Sequence, residues 1–408
     1  MLLQFSVSNF LAIKNSQSVS LVASDLSDAK AGLLDYPGRE DVKILPSIMI
    51  YGANASGKTA IINSINFMKY MVISSYNKKK ADEEIGREVF ALCNDCLILP
   101  SKFSIDFILN KNRYHFSFAV SDKEVIFEEL YDYPKNRKRK LYHRSEGKFS
   151  FGRNLKGKNK TISEITRKNS LYISAAAQAG HGLLSEIARF FEGIRTVSAV
   201  SVRAFDSDEL DPRIIEFLKE IGTGVVGYMR VPAEFPEEVK SLEKVIYDAV
   251  TKLSTNEVEI KANLLPSNEI RLAHLHESGE EVFFDLVKES SGTRRLLVLL
   301  GRIYSVLDKG GVLIIDELDA SLHTQIVESI VNLFSNNTIN KNNSQLIATT
   351  HDTNILKSKF FRRDQLWFVQ KAYDGSAHIY PLTDFRTRKG DNLERGYLQG
   401  RYGAVPYI

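Results

Sequence analysis

Residues 46–59 read PSIMIYGANASGKT, and this stretch decides the fold. A short apolar run, 46–51, enters a glycine loop, and a helix is expected from Lys58 onward. Positions Gly52 to Thr59 satisfy G-x-x-x-x-G-K-[ST] in full, in the strand–loop–helix setting that this pattern requires. Gly52 and Gly57 let the loop fold its backbone amides around phosphate oxygens at a helix N-terminus. Asn54 and Ser56 lie within the same loop and join the candidate phosphate contacts. The Lys58 ammonium is suited to neutralise terminal phosphates, and the Thr59 hydroxyl to ligate Mg²⁺.

The second half of the chain supplies partners for such a loop. GVLIIDE, 311–317, is an apolar strand ending in two carboxylates. Asp316 is placed to hold the magnesium through water beside Thr59, and Glu317 to polarise an attacking water as general base. Upstream, Glu289, Ser290, Ser291, Gly292 and Thr293 precede an apolar helix over 293–306, so a serine hydroxyl and free backbone amides gather at one helix start. Ser290 or Ser291 is the expected N-cap. LDASLH, 318–323, follows the carboxylates, and QLIATTHD, 345–352, is a buried strand ending in His351.

Outward from these motifs, residues 2–22 alternate as two antiparallel strands, and 103–109, 113–120 and 125–131 read as a meander with turns at 110–112 and 121–123. Helical periods occupy 183–191, 212–221 and 236–253, and strands return at 258–260, 270–274 and 282–286. From residue 292 the order is helix, buried strand 312–315, helix 323–334, buried strand 345–350, as in a parallel sheet covered on both faces. The expected fold class is therefore α/β, a P-loop NTPase with an antiparallel β subdomain and a helical insertion. Motif order divides it at 1–70 (the N-terminal ATPase lobe with the P-loop), 71–280 (the insertion) and 281–408 (the C-terminal ATPase lobe). No long heptad is present, so extended coiled-coil arms are not expected.

Composition is that of an ordinary globular chain: 408 residues, 43% hydrophobic and 25% charged. No uninterrupted apolar run is long enough for a bilayer, and the N-terminus lacks a basic start and cleavage site, so a cytoplasmic location is the expectation. The two cysteines form one CxxC, Cys93 and Cys96, with no further ligands nearby for zinc, and are expected to be buried or partly buried free thiols. A net charge of +4 is too mild to argue for nucleic acid, so charge distribution matters more. Residues 135–160 hold eleven Lys/Arg against one Glu. That run could follow a nucleic-acid backbone with Tyr142, Phe149 and Phe151 stacking on bases, meet an acidic partner protein, or be a solvated hairpin tip.

Taken in order, P-loop, Ser290-Ser291-Gly292, Asp316-Glu317, Asp319 and His351 resemble the ABC-ATPase superfamily. The resemblance implies ATP and Mg²⁺ as cofactors, a signature motif at 289–293, a D-loop carrying Asp319 and a switch histidine at His351. It also implies a homodimer or higher homo-oligomer, in which each signature helix faces the nucleotide held by the opposite subunit. Two departures stand out: Glu289 replaces the signature leucine and Ser291 its first glycine. Asp106 or Gln178 is the candidate for the Q-loop position. The opening FSVSNFLAIKN and the tail GDNLERGYLQGRYGAVPYI resemble SMC-like ATPases of prokaryotic phage-defence and abortive-infection operons, related to OLD-family nucleases and the PARIS defence ATPase. After His351 too little chain follows for an appended Toprim nuclease domain, so any toxic activity is expected in a separate effector, a nuclease or toxin. Three readings follow: an ATPase that controls such an effector, a DNA-repair or chromosome-associated ATPase that binds DNA, and a transporter ATPase subunit. The last fits poorly with the SMC-like opening, the loose signature and the long insertion.

Overall fold

The computed structural model describes residues 1–28, 32–78, 80, 82–197, 210–233, 237–239, 241, 245, 268–357, 360–388 and 390–405. Two compact units divide the chain, Met1–Val200 with Ser305–Ile408, and Ser201–Tyr304.

In the first unit the apolar run before the P-loop becomes β5 (Ser47–Tyr51), buried at all five positions. A strand buried on both faces belongs in the middle of a covered parallel sheet. It pairs in parallel with Gln345–Thr350 on one side and Leu366–Lys371 on the other. Val312–Ile315 and Ile194–Val197 continue the parallel set, and Ala377–Pro381 closes the far edge antiparallel, six strands in all. The expected strands at 46–51, 312–315 and 345–350 are present; 366–371 and 377–381 were not anticipated.

A second sheet of seven antiparallel strands takes in both the chain start and the meander. Its order runs from Lys148–Phe151 through Arg139–Ser145, Val125–Asp132, Asn112–Val120 and Ser101–Leu109 to Leu2–Ser8 and Gln17–Ser20. Period-two alternation sends Phe103, Ile105, Phe116 and Phe118 into the core, while Ser104, Asp106, His115 and Ser117 take the other face. One continuous core joins this sheet to Ile61, Ile65 and Met68 of the helix Lys58–Ser74 and to Ile48, Ile50, Ile314 and Ile347 of the parallel sheet. Gln345 ties the two sheets together. Its side-chain amide donates to the carbonyls of Leu2 (3.0 Å) and Leu45 (3.2 Å), and its oxygen accepts from the Leu2 amide at 2.6 Å.

The basic run keeps most of its charges exposed but turns its aromatics toward the core. It forms the hairpin Arg139–Ser145/Lys148–Phe151 and the loop beyond. Tyr142 is fully buried, and Phe149 and Phe151 stack on each other and on Tyr172 against the core. Tyr142 therefore cannot stack on a base, and Phe149 and Phe151 are half-buried against each other and Tyr172. Three charges meet partners on the adjacent strand, Arg139 with Asp132, Lys138 3.9 Å above the Tyr131 ring and Arg144 buried against Glu128, while most Lys and Arg of the run are exposed. Cross-strand neighbours that the register brings opposite decided this.

In the second unit, Val225–Pro232, Asn268–Leu275 and Glu281–Asp285 form a three-stranded antiparallel sheet, beside the helix Pro212–Glu220. The expected strands 270–274 and 282–286 and the helix 212–221 are found here. The expected helix 236–253 lies largely outside the described residues, and the strand 258–260 entirely so.

Candidate functional site

The P-loop leaves the C-terminal end of β5 and turns into the helix Lys58–Ser74. Two glycines make the turn possible. Gly57 sits at φ +111°, and a Cβ there would lie 2.6 Å from the Ala377 Cβ; a Cβ on Gly52 would lie 2.5 Å from the Val369 carbonyl oxygen. The Lys58 ammonium donates to the loop's own carbonyls, Gly52 at 2.7 Å and Ala53 at 3.0 Å. Burial lowers the Lys58 pKa, against the opposing pull of Asp316, Glu317 and Asp319. The Ser56 hydroxyl is buried with no partner, whereas Asn54 is exposed.

Asp316 and Glu317 follow the buried strand Val312–Ile315. Because that strand and β5 run parallel in one sheet, their C-terminal ends emerge on the same edge, where α/β sheets keep their sites. The Thr59 hydroxyl donates to the Asp316 carboxylate at 3.0 Å across a separation of 257 residues. Thr349 donates to the other Asp316 oxygen at 2.6 Å and accepts from the Glu317 amide at 2.7 Å. Thr349 thus holds Asp316 by its carboxylate and Glu317 by its backbone, and it was not singled out in the sequence. Its signal was a polar pair, Thr349-Thr350, closing an otherwise apolar strand. Glu317 is exposed, at φ +53°, in a left-handed conformation that turns the chain sharply just after the strand.

Asp319 accepts from the His351 amide at 3.1 Å, while its other oxygen is buried without a partner. That bond fixes the start of the turn after Gln345–Thr350. Partial burial, reinforced by the Lys58 ammonium, lowers the His351 pKa, so the imidazole is mainly neutral at pH 7. Thr324 donates to Asp352, closing the other side of this turn.

Lys58, Thr59, Asp316, Glu317, Asp319 and His351 therefore stand at one sheet edge. A buried hydroxyl without a partner, a cation folded onto carbonyls and several carboxylates form a donor set that a polyphosphate with a divalent cation completes. Asp106 is not free for a Q-loop role: it accepts from Arg113 (2.6 Å) and bonds His115 (2.9 Å) on the antiparallel sheet. Gln178 ends the short helix Tyr172–Gln178.

Ser290, Ser291 and Gly292 belong to the second unit, at the start of the helix Ser291–Lys309. Ser290 is the cap, its hydroxyl accepting from the Thr293 amide at 3.0 Å, and both serines are exposed. Glu289 bonds His274 at 2.8 Å.

This fold and site define a P-loop NTPase. Residues 47–357 match the family described as AAA domain, putative AbiEii toxin, Type IV TA system, and the chain belongs to that family. Among solved structures it is similar to the Smc head domain with an extended coiled coil, bound to the C-terminal domain of ScpA, from Pyrococcus furiosus. Identity there is 13% and the TM-score 0.37, over 94% of this chain and 97% of that one. The comparison with curated proteins found no match. No helix among the described residues is long and apolar enough to cross a membrane.

Proposed function

We propose that this protein hydrolyses Mg-ATP at a composite site completed by a second copy of the chain, and that the ATP cycle controls a partner effector in anti-phage defence. The convergence of Lys58, Thr59, Asp316 and Glu317 at one sheet edge carries this reading. Gly52, Asn54, Ser56 and Gly57 would cradle the phosphates, with Lys58 as their counter-charge. Thr59 and Asp316 would hold magnesium, which supplies charge neutralisation on the phosphate oxygens when bound. Glu317 accepts the proton of the attacking water, and His351, held through its amide by Asp319, donates a hydrogen bond to the terminal phosphate. Exposed Ser290 and Ser291, with Gly292, would serve the nucleotide of the opposite subunit, their helix start offering amides to its γ-phosphate. The defence role rests on the family, whose description speaks of a putative toxin system, and on the motifs of the N-terminus and tail.

Lys58→Ala is expected to weaken ATP binding itself, by about 10- to 100-fold, as befits a charged hydrogen bond of roughly 1.5–3 kcal/mol. Equilibrium titration with a fluorescent ATP analogue checks it; unchanged affinity removes Lys58 from the phosphate site. Mixing tests the composite site. A Lys58→Ala chain and a Ser290→Ala/Gly292→Asp chain, each inactive alone, should recover hydrolysis when allowed to exchange subunits, because one of the two sites in the heterodimer is intact. Purification with the neighbouring gene product, with and without ATP, tests the effector.

A further inference from the structure

Both cysteines of the chain, Cys93 and Cys96, lie in one turn on the first unit. Cys93 precedes the five-residue helix Asn94–Ile98 that contains Cys96. The Cys96 amide donates to the Cys93 carbonyl at 3.1 Å, the i to i+3 bond of a tight turn. Such a turn holds its end Cα atoms within about 7 Å, and disulfides span about 4.4–6.8 Å. Cys93 is half-exposed and Cys96 buried, and both line a groove of about 710 Å³ shared with Lys14, Lys102 and His115.

Asymmetry between the thiols sets their chemistry. The neighbouring Cys96 thiol, with further help from backbone amides and the Lys14 ammonium, pulls the Cys93 thiol below its ordinary value. Burial pushes Cys96 up. An accessible thiol of low pKa beside a buried one is the arrangement of an attacking and a resolving cysteine.

The surroundings connect this turn to the P-loop. Asn9 donates to the carbonyls of Cys96 and Leu99, both at 2.8 Å, and accepts from the Phe90 amide at 3.2 Å. Asn9 also opens the 9–14 turn, its amide bonded to the Lys14 carbonyl. Within that turn the Ala12 carbonyl accepts from Ala377, and the Ala12 and Ala377 side chains are those that back Gly57. Lys14 pairs with Asp374 at 3.0 Å, on the loop that leads into Ala377.

We propose that Cys93 and Cys96 form a reversible disulfide, closed by exchange with a low-molecular-weight disulfide such as oxidised glutathione, and that closure alters nucleotide affinity through the 9–14 turn. The Cys93 thiolate attacks one glutathione sulfur, breaking its S–S bond and releasing one glutathione thiolate. Cys96 then loses its proton to solvent and attacks the Cys93 sulfur, forming the intramolecular bond and releasing the second glutathione. Two protein thiols are oxidised and one glutathione disulfide is reduced to two thiols.

The test uses the full chain in glutathione buffers of stepped redox poise, with thiols counted after acid quenching and unfolding, and intact mass recorded. Wild type should lose both thiols together, carry no adduct and recover both with dithiothreitol. Cys96→Ala should trap glutathione on Cys93, and Cys93→Ser should react far more slowly. Two thiols surviving at an oxidising poise, a stable adduct on wild type, or equal reactivity of the two single variants overturns the pair. The affinity arm rests on the proposed nucleotide site: oxidised wild type should bind an ATP analogue with a dissociation constant changed by roughly fivefold or more, as two coupled sites do. The Cys93→Ser/Cys96→Ala protein should show no change on the same treatment. Unchanged affinity in fully oxidised wild type overturns the coupling. A reduced protein that binds no analogue instead defeats the nucleotide reading, and leaves the thiol counts to decide the disulfide.

Discussion

Glu317→Gln is expected to lower ATP turnover by about 10²–10⁴-fold, the contribution of a positioned general base, while ATP stays bound. Glutamine keeps the size and the hydrogen-bonding oxygen but cannot take a proton from water. Glu317 is exposed, and its backbone amide, which a side-chain change does not touch, donates to Thr349. Asp316, Thr59 and Lys58 remain, so affinity should stay within a fewfold of wild type. Arrest before hydrolysis should also accumulate the ATP-bound dimer, visible as a shift in light-scattering mass on adding ATP. Phosphate release measured beside analogue binding separates the outcomes. Hydrolysis at the wild-type rate takes the base role away from Glu317, and lost binding makes it a structural residue of the loop.

Glu128→Ala should destabilise the fold by about 3–5 kcal/mol, as when one partner is removed from a buried charged network. Glu128 is fully buried within Val125–Asp132. It accepts from the Tyr142 hydroxyl (2.8 Å) and from the backbone amides of Tyr172 (2.6 Å) and Ile173 (3.0 Å), with Arg144 at 3.9 Å. Burial raises its pKa, and the Arg144 charge and the donated amides work against that rise. Removing the carboxylate leaves three donors unanswered in the core and takes away the counter-charge of Arg144, which keeps its hydrogen bonds to the carbonyls of Ser170, Arg167 and Lys168. Denaturant titration should show the loss as a lower midpoint. Glu128→Gln keeps an acceptor and should fall well short of that loss; equal losses for the two would show that the charge, rather than the hydrogen bonds, holds the network.

The nucleotide loop could be read from residues 46–59 alone because its chemistry is backbone chemistry. Glycines at two spacings, a lysine and a hydroxyl act on one ligand within a single turn, and each neighbour in sequence is a neighbour in space. The strands 312–315 and 345–350 were legible for a related reason. Strands covered on both faces must be apolar throughout, and the residue that ends such a run is delivered to the sheet edge. The chain's sequence by itself thus determined the α/β class, the P-loop and the order of its carboxylate and histidine partners.

Tertiary structure decided what depends on pairs far apart along the chain. That Thr349 holds both acidic residues and that Gln345 joins two sheets follow from strand order, which no local pattern encodes. Residues 135–160 show the same point in part. Most of their charges stay exposed, yet Arg139, Lys138 and Arg144 found Asp132, Tyr131 and Glu128 on the adjacent strand, and Phe149 and Phe151 turned to Tyr172. Asp106 went to Arg113 and His115 by the same cross-strand logic. A side chain's charge or ring is written in the sequence, but its availability is set by the register of the neighbouring strand, because a one-residue slip would carry each of these groups to the opposite face.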